Sequence, residues 1–112
     1  FKAYKISKRF DDDISSVCGS FNIEMDKNRI KKIKIAYGGM SEVPKRAKNT
    51  EKILINSIFS EKIFIKAIKN LESDYKPIDD MRASKLYRME IAKNLLMKCF
   101  LEVKSKKMLR VN

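Results

Sequence analysis

Between Lys5 and Ile14 the chain reads Lys-Ile-Ser-Lys-Arg-Phe-Asp-Asp-Asp-Ile, so that Lys5, Lys8 and Arg9 stand directly before the carboxylates of Asp11, Asp12 and Asp13. Consecutive aspartates repel one another and are poor strand and helix formers, which predicts an exposed loop over Asp11 to Asp13 between two apolar-patterned segments. A charged loop on a rigid scaffold is where binding and catalytic groups tend to gather. The competing reading is a solvated acidic turn with no ligand, which is what short acidic runs usually are. Other chemistries are narrowed by composition. The chain contains no histidine, which excludes histidine metal ligands and a histidine-activated serine or cysteine nucleophile within it. Cys18 and Cys99 lack CxxC spacing. They read as small buried hydrophobes in a reducing compartment, with a disulfide or a reactive thiol as the alternative.

The elements that must position this charged stretch follow from hydropathy patterning. Ala3 to Lys8 has a strand period, with Tyr4 and Ile6 on one side and Ala3, Lys5 and Ser7 on the other. Val17, Phe21, Ile23 and Met25 alternate with Cys18, Ser20, Asn22 and Glu24, predicting a strand buried on one face. Gly19 interrupts it, at a bulge or a close backbone approach. Asp26-Lys27-Asn28-Arg29 supplies turn chemistry, and Ile33, Ile35 and Tyr37 alternate with Lys32, Lys34 and Ala36, which completes a hairpin. Gly38 and Gly39 end the second strand, where they permit positive φ or close packing. Neither a P-loop nor a dinucleotide-binding glycine spacing is present.

Beyond Pro44 the period becomes helical. Asn49 or Thr50 can cap a short helix carrying Ile53, Leu54 and Ile58, and Ser60 a second with Ile63, Phe64, Ala67, Ile68 and Leu71 on one stripe. Ser73 to Pro77 breaks the pattern. Asp79 and Asp80 favour the start of a longer third helix, whose stripe runs through Ala83, Leu86, Tyr87, Ala92, Leu95, Leu96, Cys99, Phe100 and Val103. Strands first and helices after predict an α+β domain, a small antiparallel sheet of three to four strands with three helices on one face. At 112 residues, residues 1–112 form one domain.

A net charge of +12 raises nucleic acid as a partner. The lysines, however, are spread along nearly every segment without a nucleic-acid motif, which reads as a solvated surface. No apolar run approaches the roughly 20 residues that cross a bilayer, and the cytoplasm is the expected location. The chain begins at Phe1 inside a patterned segment, as a cut fragment would.

Several separated motifs fit one family: Tyr4-Lys5-Ile6-Ser7-Lys8-Arg9 with Asp12-Asp13-Ile14; Ala36-Tyr37-Gly38-Gly39-Met40 with Pro44-Lys45-Arg46-Ala47; and Asp80-Met81-Arg82-Ala83-Ser84 with Tyr87-Arg88. Together, in order and over almost the whole chain, they resemble the C-terminal domain of the FAD-binding subunit of xanthine dehydrogenases. Close relatives of these are the carbon monoxide dehydrogenase flavoproteins and other molybdenum hydroxylases. The resemblance implies part of a multi-subunit oxidoreductase. In such enzymes substrate is hydroxylated at a molybdopterin centre, 2Fe-2S clusters pass electrons to FAD, and NAD or another acceptor takes them up. It further implies an upstream domain that binds most of the FAD, so the fragment alone is expected neither to catalyse nor to hold FAD tightly. Within the family pattern Lys5 matches the lysine beside the flavin pyrimidine edge. Asp12 matches an acidic position near the ring, and Arg9 lies on the same stretch. Phe10 stands where an arginine is often found. The Tyr37-Gly38-Gly39-Met40 and Asp80-Met81-Arg82 motifs are expected to be structural, a tight turn and a helix N-terminus paired across the domain. A free-standing basic nucleic-acid-binding or subunit-docking module is the alternative function.

Overall fold

A computed structural model of the chain describes the backbone of residues 3–12, 17–41, 43–75 and 82–111, and the side chains of residues 5–11, 17–41, 43–75 and 86–106. Three ten-residue strands, β1 (Ala3–Asp12), β2 (Val17–Asp26) and β3 (Arg29–Gly38), form an antiparallel meander that a two-residue β4 (Lys45–Arg46) extends in the order β1-β2-β3-β4. Three helices follow, α1 (Lys48–Leu54), α2 (Glu61–Lys69) and α3 (Arg82–Val111), with a 3-10 turn at Asn70–Ser73 after α2. This is the expected α+β arrangement.

Strict alternation puts Val17, Phe21, Ile23 and Met25 of β2 and Ile33, Ile35 and Tyr37 of β3 on one buried face. Helices α1 and α3 pack on that face, and α2 packs on both helices. Leu54, Phe64, Leu96, Phe100 and Val103 fill the layer between, where burial of each such side chain contributes roughly 1.5–3 kcal/mol. Phe59, Phe64 and Phe100 cluster there with ring centroids 5.0–5.5 Å apart, Phe59 stacked on Phe100 and edge-on to Phe64. The hairpin closes through Lys27 and Asn28, with Lys27 at φ 58°.

Gly19 causes no bulge; its pairing with Phe10 and Tyr37 is regular. It is instead a close approach, since a Cβ there would lie 2.8 Å from Cζ of Phe21 and 3.1 Å from Cε1 of Tyr37. Gly39 takes φ 86°, which turns the chain out of β3.

Several details depart from the patterning. Asp11 and Asp12 lie not in a loop but in β1, paired with Cys18 and Val17, because continued pairing with β2 outweighs their poor propensity. The first turn of α1 is capped by neither Asn49 nor Thr50. The cap comes from Asp74, whose carboxylate accepts the backbone N–H groups of Asn49 (2.9 Å) and Thr50 (3.0 Å) and the Thr50 hydroxyl (2.7 Å). Ile58 is outside α1 and forms an isolated bridge to Arg29. Ser60 does cap α2, accepting the Ile63 N–H at 3.3 Å. Leu86 and Tyr87 are exposed. At roughly 100° per residue both fall more than a quarter-turn from the centre of the buried row Ala92, Leu95, Leu96, Cys99, Phe100 and Val103, although Leu86 lies near its Phe100 edge. Asp79 and Asp80 lie outside the described residues.

Candidate functional site: the open face of the sheet

The helices cover one face of the sheet, and the other carries the polar half of each alternating strand. Three cross-strand rows follow from the register: Lys5, Glu24 and Lys32; Ser7, Asn22 and Lys34; Arg9, Ser20 and Ala36. Ser7, Asn22, Ser20 and Ala36 are the uncharged members of these rows, and the Ser7 hydroxyl donates to Oδ1 of Asn22. Cations stand around them.

Lys5 is 80% exposed and makes a loose ion pair with Oε1 of Glu24 at 3.8 Å. Arg9 donates through Nε to Oδ1 of Asp11 at 3.3 Å and approaches Sγ of Cys18 at 3.9 Å. Cys18 is thus half-buried on this face rather than in the core, whereas Cys99 is buried, and both thiols are free. Burial, with a lesser push from Glu102, raises the Cys99 thiol to about 12. Asp12 belongs to β1 by its backbone, but its side chain lies outside the described residues. Lys5 and Arg9 therefore share one face of β1, four positions apart, and no contact joins them to a common partner among the described residues.

Two residues of this face escaped the reading by pattern, Glu24 and Lys31. Strand pairing steps from Glu24 with Lys32 to Met25 with Ile30, a β-bulge that leaves Lys31 without a cross-strand partner. Both Lys31 and Lys32 are exposed between buried Ile30 and Ile33. Lys31 consequently reaches Oε2 of Glu24 at 3.4 Å. The signal was in the sequence: Ile-Lys-Lys-Ile breaks the alternation by one residue.

The far end of the sheet is locked. Glu51 of α1 is buried, accepts the Ile35 N–H at 2.8 Å and takes two bonds from the Arg46 guanidinium, at 2.7 and 3.1 Å. Tyr37 donates its hydroxyl to the Ala92 carbonyl at 2.7 Å, and Arg88 donates to the Gly39 carbonyl at 3.1 Å. These bonds tie the Tyr37-Gly38-Gly39 segment to α3; Asp80 and Met81 lie outside the described residues. Phe10 points to the covered side, beside Phe21 at 6.0 Å and under the Lys98 ammonium at 5.4 Å.

Residues 2–103 match the family described as the CO dehydrogenase flavoprotein C-terminal domain. The chain belongs to this family. It is 34% identical over 100 residues to the glyceraldehyde dehydrogenase medium chain of Sulfolobus acidocaldarius, covering 89% of this chain and 36% of the relative. It is 38% identical over 85 residues to xanthine dehydrogenase of Dictyostelium discoideum, covering 65% of this chain and 6% of that protein. The fold is shared with carbon monoxide dehydrogenase from Hydrogenophaga pseudoflava, at TM-score 0.74 and 16% identity over 88% of this chain and 36% of that one. Quinoline 2-oxidoreductase from Pseudomonas putida 86 shares it as well, at TM-score 0.71 and 17% identity over 95% and 38%. The chain thus spans about a third of the medium chain it matches. Among the described residues no helix is long and apolar enough to cross a membrane, and no group of three or more metal-ligating side chains occurs.

Proposed function

We propose that this chain is the C-terminal domain of the FAD-binding subunit of a xanthine dehydrogenase-type molybdenum hydroxylase, and that its open sheet face forms one wall of the flavin site. The observation that carries this reading is an ammonium that is 80% exposed, Lys5 of β1, beside the uncharged Ser7, Asn22 and Ser20 side chains of the same open face, in a domain of a flavoprotein family.

The donor set suits a flavin. A planar ring with a row of carbonyl and nitrogen acceptors along one edge needs a flat surface and a mobile cation at its rim, and Ser7, Asn22 and Ser20 beside Lys5 supply both. FAD, when bound, supplies the electron-accepting chemistry. The protein's part is electrostatic. Lys5 brings positive charge to the site and favours negative charge on the ring. Arg9 adds a second cation whose field Asp11 offsets. In this reading Asp12, the last residue of β1, is an acidic group near the ring whose charge acts against that of Arg9. Most of the FAD, including its phosphates, is held by a domain that precedes this one, and molybdopterin and 2Fe-2S clusters are carried by partner subunits or domains. The final acceptor is NAD or an equivalent oxidant, the substrate a purine or another compound, and the location cytoplasmic. The nucleic-acid-binding alternative is not favoured, since the charge is dispersed and the family is a flavoprotein one.

The test is the complete subunit purified with its flavin. Wild type is expected to be yellow with near-stoichiometric FAD, and Lys5→Ala to lose FAD or turnover. Unchanged FAD content and unchanged turnover in Lys5→Ala would remove Lys5 from the site.

A further inference from the structure

Glu24 stands on the middle strand of the open face, in the row nearest the β2–β3 hairpin, between two ammonium groups. Its side chain is 16% exposed, against 80% for Lys5 and 52% for Lys31. One carboxylate oxygen lies 3.8 Å from Lys5 and the other 3.4 Å from Lys31. The arrangement depends on the backbone, because regular alternation would send Lys31 to the covered face, and the bulge at Glu24 and Met25 instead returns it to the open one. The carboxylate is therefore the fixed member of the group, and the two lysines are the movable ones. An exposed pair as long as that of Lys5 and Glu24 is weak and readily exchanged for another acceptor. Among the described residues, Lys31 takes up one carboxylate oxygen and Lys5 the other.

We propose that Glu24 is a positioning residue for Lys5. Its carboxylate draws the Lys5 ammonium back toward the middle of the sheet and offsets its charge, and so sets how much positive field reaches an acceptor at the end of the side chain. This rests on the reading of Lys5 as a flavin-facing cation given above. Glu24 itself touches no reacting atom in this scheme.

The experiment is a double-mutant cycle in the complete FAD-loaded subunit, with the flavin midpoint potential as the readout and FAD content measured beside it. Glu24→Gln keeps the size of the side chain and removes its charge. The expected result is a more positive potential in Glu24→Gln, a more negative one in Lys5→Ala, and loss of most of the Glu24→Gln shift when Lys5 is already alanine. A Glu24→Gln shift of equal size in both backgrounds, or none in the Lys5 background, overturns the proposal while leaving the role of Lys5 intact. A potential and FAD content unaffected by Lys5→Ala overturn both. If Lys5→Ala does not fold or retain flavin, Lys5→Gln removes the charge with a polar side chain in place, and the same comparison is made with it.

Discussion

The carboxylate of Glu51, a helix residue, accepts the backbone N–H of Ile35, a strand residue, at 2.8 Å. β4 is only two residues long, and its pairing with β3 reaches Ala36 and Tyr37 but stops short of Ile35. Glu51 stands in for the missing strand partner and is in turn held by Arg46 of β4. Glu51→Ala is expected to cost about 2–4 kcal/mol in urea denaturation, since it leaves a buried N–H without an acceptor and Arg46 without its partner. Glu51→Gln keeps an acceptor for one of these bonds and should cost less. Equal stabilities of wild type and Glu51→Ala would contradict the assignment.

A remote cap makes a second prediction. Asp74 follows the 3-10 turn and takes three hydrogen bonds from the first turn of α1. Asp74→Ala should lower stability by roughly 1–2 kcal/mol, the usual cost of a lost cap, with more added because the site is buried. Amide exchange checks the location: protection should fall first at Asn49 and Thr50.

Gly19 offers a steric test. A methyl group there meets the Phe21 and Tyr37 rings, at 2.8 and 3.1 Å, and both rings are fully buried. Gly19→Ala is expected to destabilise by about 1–3 kcal/mol through displaced rings. A thermal midpoint no lower than wild type would show that the rings move aside freely.

Alkaline pH should weaken the fold from a definite onset. Burial raises Cys99 to about 12 from 9.0, and raises Tyr37 well above 10.0, with smaller pushes from Tyr75 and Cys99. For both groups the folded state keeps the proton longer than the unfolded state, so their contribution is complete below the unfolded values. It declines as pH rises from those values toward the folded ones. Each group removes about 1.4 kcal/mol per pH unit once the unfolded chain ionises. Denaturation across pH 8 to 11 should show a decline starting near 9.0, and Cys99→Ala should move that start toward the tyrosine value of 10.0. An onset unchanged by Cys99→Ala would mean that Cys99 ionises equally in both states.

The sheet was legible because its covered face demands alternation and the chain alternates from Val17 to Met25, with Gly19 as the one break, and from Ile33 to Tyr37. What escaped was set by partners distant in the chain. Asp11 joins β1 because Cys18 across the hairpin supplies its pairing, and α1 is capped by Asp74, 24 residues after Thr50, so neither feature is written in its own neighbourhood. The candidate site divides in the same way. Lys5 and Arg9 stood out by residue type and by family pattern. Glu24 looked like an ordinary outward strand position until the bulge brought Lys31 to it.

The sheet's two faces also answer to different demands. Phe21, Ile23, Ile35 and Tyr37 belong to the core, and the open face contributes none of the fully buried side chains of these strands. Residues such as Lys5, Ser7, Arg9 and Glu24 can therefore be exchanged with little penalty to folding, which leaves the electrical character of that wall open to adjustment on a scaffold that stays the same.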